Sequence, residues 1–102
     1  MYKIIKIEPS IKKSKRFRVY LNNGDHYDFG LEKGSTYLDH HDALKRYNYF
    51  KTHYANEYEK HLIDNLIPSP SLFSMVLLWG KYTSIEKNVK ILNKLWSKYY
   101  KK

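Results

Sequence analysis

Apolar positions alternate with polar ones through the first thirty residues, and after that they recur every three or four. Tyr2 with Ile4, then Ile5 with Ile7, predict a strand over 2–7, and Phe17, Val19 and Leu21 give a second strand its apolar face. Residues 8–14 between them read as a loop broken by Pro9. Asn22, Asn23 and Gly24 form a turn. A two-residue loop there would set Val19 opposite Asp28. A three-residue loop with Gly24 left-handed sets Val19 opposite Tyr27 and Phe17 opposite Phe29, which buries like with like. The expectation is a hairpin over 15–29, joined by strand 2–7 into a small antiparallel sheet.

Helical spacing begins after a loop containing Gly34. Asp39 and Asp42 resemble an N-cap with an acidic third position, and Ala43, Tyr47, Phe50, Tyr54 and Tyr58 follow as a stripe expected to face the core. The helix is predicted to run toward Leu66 and to end before Pro68 and Pro70. Residues 72–79 read as a short second helix, apolar nearly all round and closed by Gly80. Thr83, Ser84, Ile85 and Glu86 make a capping-box pattern that opens a third helix. Ile85, Val89, Leu92, Trp96 and Tyr99 form its inner face, and Lys87, Lys90, Lys94, Lys98 and Lys101 its outer one. The fold class expected is α+β, a small antiparallel sheet followed by about three helices that bury Trp79, Trp96 and the tyrosine stripe together.

A chain of 102 residues suits a single domain over 1–102, with a basic β-rich part at 1–30 and a helical part at 39–100. Its hydrophobic fraction of 42% and charged fraction of 28% are those of a folded soluble protein, and no apolar run approaches the ~20 residues of a membrane span. The opening MYKIIKIEPS lacks the pattern of a secretory signal. The absence of cysteine removes disulfides, thiolate metal ligands and cysteine nucleophiles, and suits a reducing cytosol.

The net charge of +9 is unevenly spread: residues 1–18 carry +6, residues 19–80 carry −3 and residues 81–102 carry +6. Two basic ends around a mildly acidic middle favour an anionic partner, whether nucleic acid, an anionic membrane surface or an acidic protein. The candidate contacts are Lys12, Lys13, Lys15, Arg16 and Arg18 at the start of the second strand, with Lys13, Lys15 or Arg16, and Arg18 projecting to solvent, and Lys87, Lys90, Lys94 and Lys98 on the last helix. Interleaved tyrosines could stack on bases. The blander alternative is a solvated surface that aids solubility.

Catalytic patterns are missing. There is no GxSxG, HExxH, P-loop or GxGxxG spacing, and four glycines leave little material for a phosphate-cradling loop. His53, Glu57 and His61 stand at i, i+4 and i+8 on the predicted helix, so only adjacent pairs could share an ion. His40 near Asp42 could make a general base, yet both have capping roles at a helix start. The expectation is a non-enzyme with no metal, no cofactor and no small-molecule substrate, a metal-assisted hydrolase built on His53 being the weakest rival. Eleven tyrosines and two tryptophans exceed what so small a domain can hide, so some are expected to face a partner.

The run FGxxxGxxYxxHxDxxKRxxYxxxH is carried by Phe29, Gly30, Gly34, Tyr37, His40, Asp42, Lys45, Arg46, Tyr49 and His53. It resembles a small uncharacterised domain family of nucleocytoplasmic large DNA viruses of the phycodnavirus and mimivirus kind. A basic β-rich start like 3–21 and a later segment like 77–81, with Trp79, followed by a helix opened by a threonine such as Thr83, extend the resemblance over most of the chain. It departs at Ala43, where proline is usual, at Thr52, where a base is usual, and at Val76, where an aromatic is usual. The resemblance implies a virion protein made in host cytoplasm, a minor capsid or cement component that binds capsid or other virion proteins. The alternative is a small basic DNA- or RNA-binding protein.

Overall fold

A computed structural model describes residues 1–100. Three antiparallel strands in the order β1–β2–β3 form the sheet: β1 is Ile4–Pro9, β2 Lys15–Leu21 and β3 His26–Leu31. The β2–β3 register pairs Phe17 with Phe29 and Val19 with Tyr27, as like-with-like burial predicts, and Gly24 takes the turn's left-handed position at φ 92°. The predicted first strand lies two residues further along. Glu8 and Pro9, expected in a loop, pair with Arg18 and Phe17. Proline is tolerated there because β1 is an edge strand. An irregularity between Ile4 and Lys6 shifts the phase, so Ile4 is buried and Ile7 half-buried while Ile5 faces solvent. That shift is the physical content of the doubled Tyr2–Ile4, Ile5–Ile7 pattern.

Five α-helices follow, in place of about three: α1 Tyr37–His40, α2 Ala43–Tyr54, α3 Glu57–Asp64, α4 Pro70–Phe73 and α5 Ile85–Tyr99, with a π-helical turn over Ser74–Leu78 continuing α4. The single helix expected from Asp39 to Leu66 is cut in two places. Asp39 is no N-cap. Its Oδ2 accepts from both the N–H and the hydroxyl of Thr36, the true cap of α1. His41 turns left-handed at φ 54°, and Asp42 then caps α2 by accepting from Leu44 and Lys45 N–H. After Tyr54, Asn56 starts α3 by accepting from Glu59 N–H. Ser84, rather than Thr83, caps α5.

The core lies between one sheet face and α4, the π-helical turn and α5. Val19, Leu21, Phe29, Leu72, Phe73, Leu77, Leu92 and Trp96 are fully enclosed. Trp96 Nε1 donates to the Leu66 carbonyl, and Asn88 on α5 ties down the turn after the π segment by donating to Leu77 and Tyr82 carbonyls and accepting from Tyr82 N–H. Gly80 is required beside it, since a Cβ there would fall 1.9 Å from the Val76 carbonyl oxygen. Asn93 pairs its amide with Ile4 N–H and carbonyl, occupying part of the open edge of β1. Among the described residues no helix is long and apolar enough to cross a membrane.

The expected tyrosine spine does not enter this core. Tyr47, Phe50 and Tyr58 are 59%, 45% and 64% exposed, and Ala43 is exposed as well. The inward side of α2 is instead Arg46, Tyr49 and His53. Trp79 is half-buried at the core's margin, apart from Trp96.

Candidate functional site

The inward side of α2 builds a ladder of rings. Tyr49 lies flat on Trp79, with centroids 4.3 Å apart and planes within 7°. His53 follows on Tyr49 at 4.0 Å, His40 meets Trp79 at 5.2 Å, and Tyr37 meets His40 edge-on. Arg46 ties the ladder to the backbone: its Nε donates to the Trp79 carbonyl at 3.0 Å while its guanidinium lies over the Tyr37 ring. Side chains from α1, α2 and the end of the π segment thus meet in one place. They are the motif residues Tyr37, His40, Arg46, Tyr49, His53 and Trp79.

The other motif residues support this arrangement. Asp42 caps α2, Lys45 is exposed on its first turn, and Phe29 is core. Gly30 has φ 78°, and a Cβ on it would sit 2.9 Å from Leu78 Cδ1, so glycine lets β3 approach the π segment closely.

Two adjoining clefts open beside the ladder and share Ser35, Tyr49, His53 and Trp79. In the first, of about 330 Å³, His53 Nδ1 lies 3.2 Å from both Glu59 carboxylate oxygens, which orients the imidazole. Ser71 donates to the same carboxylate. Burial, reinforced by the Glu59 charge, pushes the Tyr49 phenol up to about 12, against a hydrogen bond with Ser74. A histidine held by a carboxylate is half of a general-base arrangement, and Ser71 bonds the carboxylate rather than the imidazole. The second cleft, of about 380 Å³, is lined also by His40, Lys45, Asn48 and Thr52.

His53, Glu57 and His61 do not share a helix. The break at Ala55 and Asn56 separates them, and the carboxylate at His53 is Glu59, while Glu57 and His61 are exposed on α3. Among the described residues no group of three or more histidines and carboxylates could hold a metal ion.

Both arginines of the basic cluster at β2 are paired within the fold, while Lys13 and Lys15 form no ion pair among the described residues. Arg16 makes two bonds to the Asp39 carboxylate at 2.7 and 2.8 Å. Arg18 makes two to Asp28 at 2.9 and 3.0 Å, and Lys12 stands 3.8 Å from the same carboxylate. Arg18 and Asp28 side chains are only 13% and 5% exposed, so the expected projection of Arg18 and Arg16 into solvent is replaced by ion pairing. Arg18, with Ser10 assisting, holds Asp28 down at about 2, and Arg16 holds Asp39 well below the usual carboxylate range. Lys13 is exposed and Lys15 lines the first cleft. On α5, Lys87, Lys90, Lys94 and Lys98 are exposed, and among the described residues none forms an ion pair. Lys101 lies outside the described residues.

Glu59, Ser71 and Ser74 were not legible as site residues. The one signal for Glu59 is its place three residues after the Asn56 cap.

Fold and site together define a small α+β domain whose sheet and helices carry an aromatic ladder between two open clefts. Residues 5–53, a little under half of the chain, match the model of a family of unknown function (DUF5754). The match takes in the sheet, α1 and α2 up to His53, and stops before Glu59 and Trp79. No curated protein and no solved structure matches the chain.

Proposed function

We propose that the chain is a non-enzymatic structural protein of a large DNA virus, a minor capsid or cement component that docks on capsid protein. The observation that carries this reading is the large apolar side chains left in solvent along α2 and α3, Leu44, Tyr47, Phe50 and Tyr58, of which Tyr47 and Phe50 line one groove. Phe50 stacks on Tyr54 at 4.3 Å, which holds its ring in place. An apolar patch of this kind on a small domain is characteristic of a protein–protein contact. The groove lies between α2 and the π segment and includes Met75 and Val76, with Arg46 and Lys81 among its lining residues. The resemblance to viral domains supplies the context. In the virion, the α5 lysines would face acidic protein or the inner membrane surface.

The test is the inventory of purified particles, where a cement protein is present in fixed proportion to capsid protein. The variant Tyr47→Ser with Phe50→Ser is expected to fold with stability within about 1 kcal/mol of the parent, because exposed substitutions change little, and to be depleted from particles. Full retention of the double variant would contradict docking by these side chains.

The second reading, a DNA- or RNA-binding protein, draws on the four exposed lysines of α5, which follow one stripe of the helix. It predicts log affinity falling steeply with log salt, and a failure to be retained on DNA at ~100 mM salt would remove it.

A further inference from the structure

We propose that His40 is an acid-sensitive latch that holds α1 against α2 and Trp79 and is released when its imidazole takes a second proton. The Asp42 N–H lies 2.9 Å from His40 Nδ1. A backbone N–H can only donate, so Nδ1 is the acceptor and the neutral ring carries its proton on Nε2. Protonation of Nδ1 and the bond from Asp42 therefore exclude each other. That bond spans the junction of two helices, since His41 between them turns left-handed and Asp42 is the N-cap of α2.

The surroundings oppose a charge on this ring as well. Nε2 is buried and has no hydrogen-bond partner among the described residues, so neither water nor an acceptor solvates the cation there. Within α1 the ring meets the edge of Tyr37, Asp39 is bonded to Arg16 and Thr36, and the neighbouring His41 ring meets the Leu38 carbonyl. From the end of the π segment comes the neutral ring of Trp79 at 5.2 Å. From α2 come Lys45 and His53, which line the same cleft, and Arg46, whose guanidinium lies over Tyr37. Lys45 and Arg46 repel a second charge, and the Asp42 carboxylate is already turned to the Leu44 and Lys45 N–H groups. The closed junction thus needs a neutral His40, and its stability is lost as pH falls below the ordinary histidine value of about 6.5 that the ring regains on opening. Opening uncovers the Trp79 end of the ring ladder. The latch does not depend on the virion reading.

The experiment is amide hydrogen exchange of the full chain by NMR from about pH 8 to about pH 5, the window in which histidines titrate, with ¹⁵N spectra of the histidine rings recorded alongside. Corrected for intrinsic rates, protection of the Asp42 and Leu44 N–H groups is expected to fall about tenfold per pH unit below about 6.5. His40→Asn, whose side-chain oxygen can accept from the Asp42 N–H and does not titrate, is expected to remove that dependence, while His41→Asn and His53→Asn keep it. Protection that ignores pH in the parent would overturn the proposal, as would a dependence that survives in His40→Asn. The parent spectra test it without any substitution: a His40 ring that protonates while the Asp42 N–H stays protected would mean that the Trp79 face carries the cation inside a closed junction, and would also overturn it.

Discussion

Trp96 has no exposed surface, touches the rings of Tyr2 and Phe73, and closes its one polar atom on the Leu66 carbonyl. Trp96→Ala is therefore expected to cost about 3–5 kcal/mol in urea unfolding, a large part of a small domain's stability. Arg18 and Asp28 make a different prediction. Because Arg18 lowers the folded-state pKa of Asp28 from 3.8 to about 2, the pair stabilises the fold fully above the unfolded value, and that contribution disappears as pH falls between the two. Asp39, lowered by Arg16, acts in the same direction. Asp28→Asn should be less stable than the parent at neutral pH, and its stability should fall less on acidification to about pH 2. Urea midpoints at the two pH values check this, and equal losses in parent and variant would contradict it. The Arg18 pairing was readable in advance: the register that sets Phe17 against Phe29 also sets Arg18 against Asp28. The Arg16 pairing was not, since Asp39 reaches the sheet only through the turn that places α1.

Elements whose periodicity was strong came out where the pattern placed them. The hairpin keeps its predicted register because one face is buried and Gly24 fits its turn, and α5 buries Leu92 and Trp96 while its lysines stay outside. α2 came out reversed. Tyr47 and Phe50 marked one face of the helix, and the spacing carries no information on whether that face turns to the core or to solvent. The opposite face, with Arg46, Tyr49 and His53, looks polar in sequence yet packs through ring stacking and the bond to the Trp79 carbonyl. Short capping signals decided the helix breaks: Thr36 with Asp39, Asp42, and Asn56 with the Glu59 N–H outweighed one long apolar stripe. Asn56→Ala should cost about 1 kcal/mol and loosen α3, seen as faster amide exchange over Glu57–Asp64. Unchanged exchange there would show that the cap is dispensable.

For the whole molecule, the charge map drawn from sequence changes once the fold is known. The two arginines of the basic start are paired with Asp28 and Asp39, whereas the α5 lysines form no ion pair among the described residues, so the start presents fewer free charges than the sequence suggests. The exposed apolar side chains of α2 and α3 and the lysine row of α5 lie on different elements, and under the proposed function each would meet a different component of the assembly. If the α5 row holds nucleic acid, Lys90→Gln, Lys94→Gln and Lys98→Gln together should flatten the salt dependence by about three phosphate contacts. If it instead meets acidic protein or membrane, no such slope exists to lose. Docking on capsid protein is tested most directly by quantitative mass spectrometry of purified particles. The expected result is a constant ratio of this chain to capsid protein that collapses for Tyr47→Ser with Phe50→Ser, and its absence from the particles would contradict the proposal.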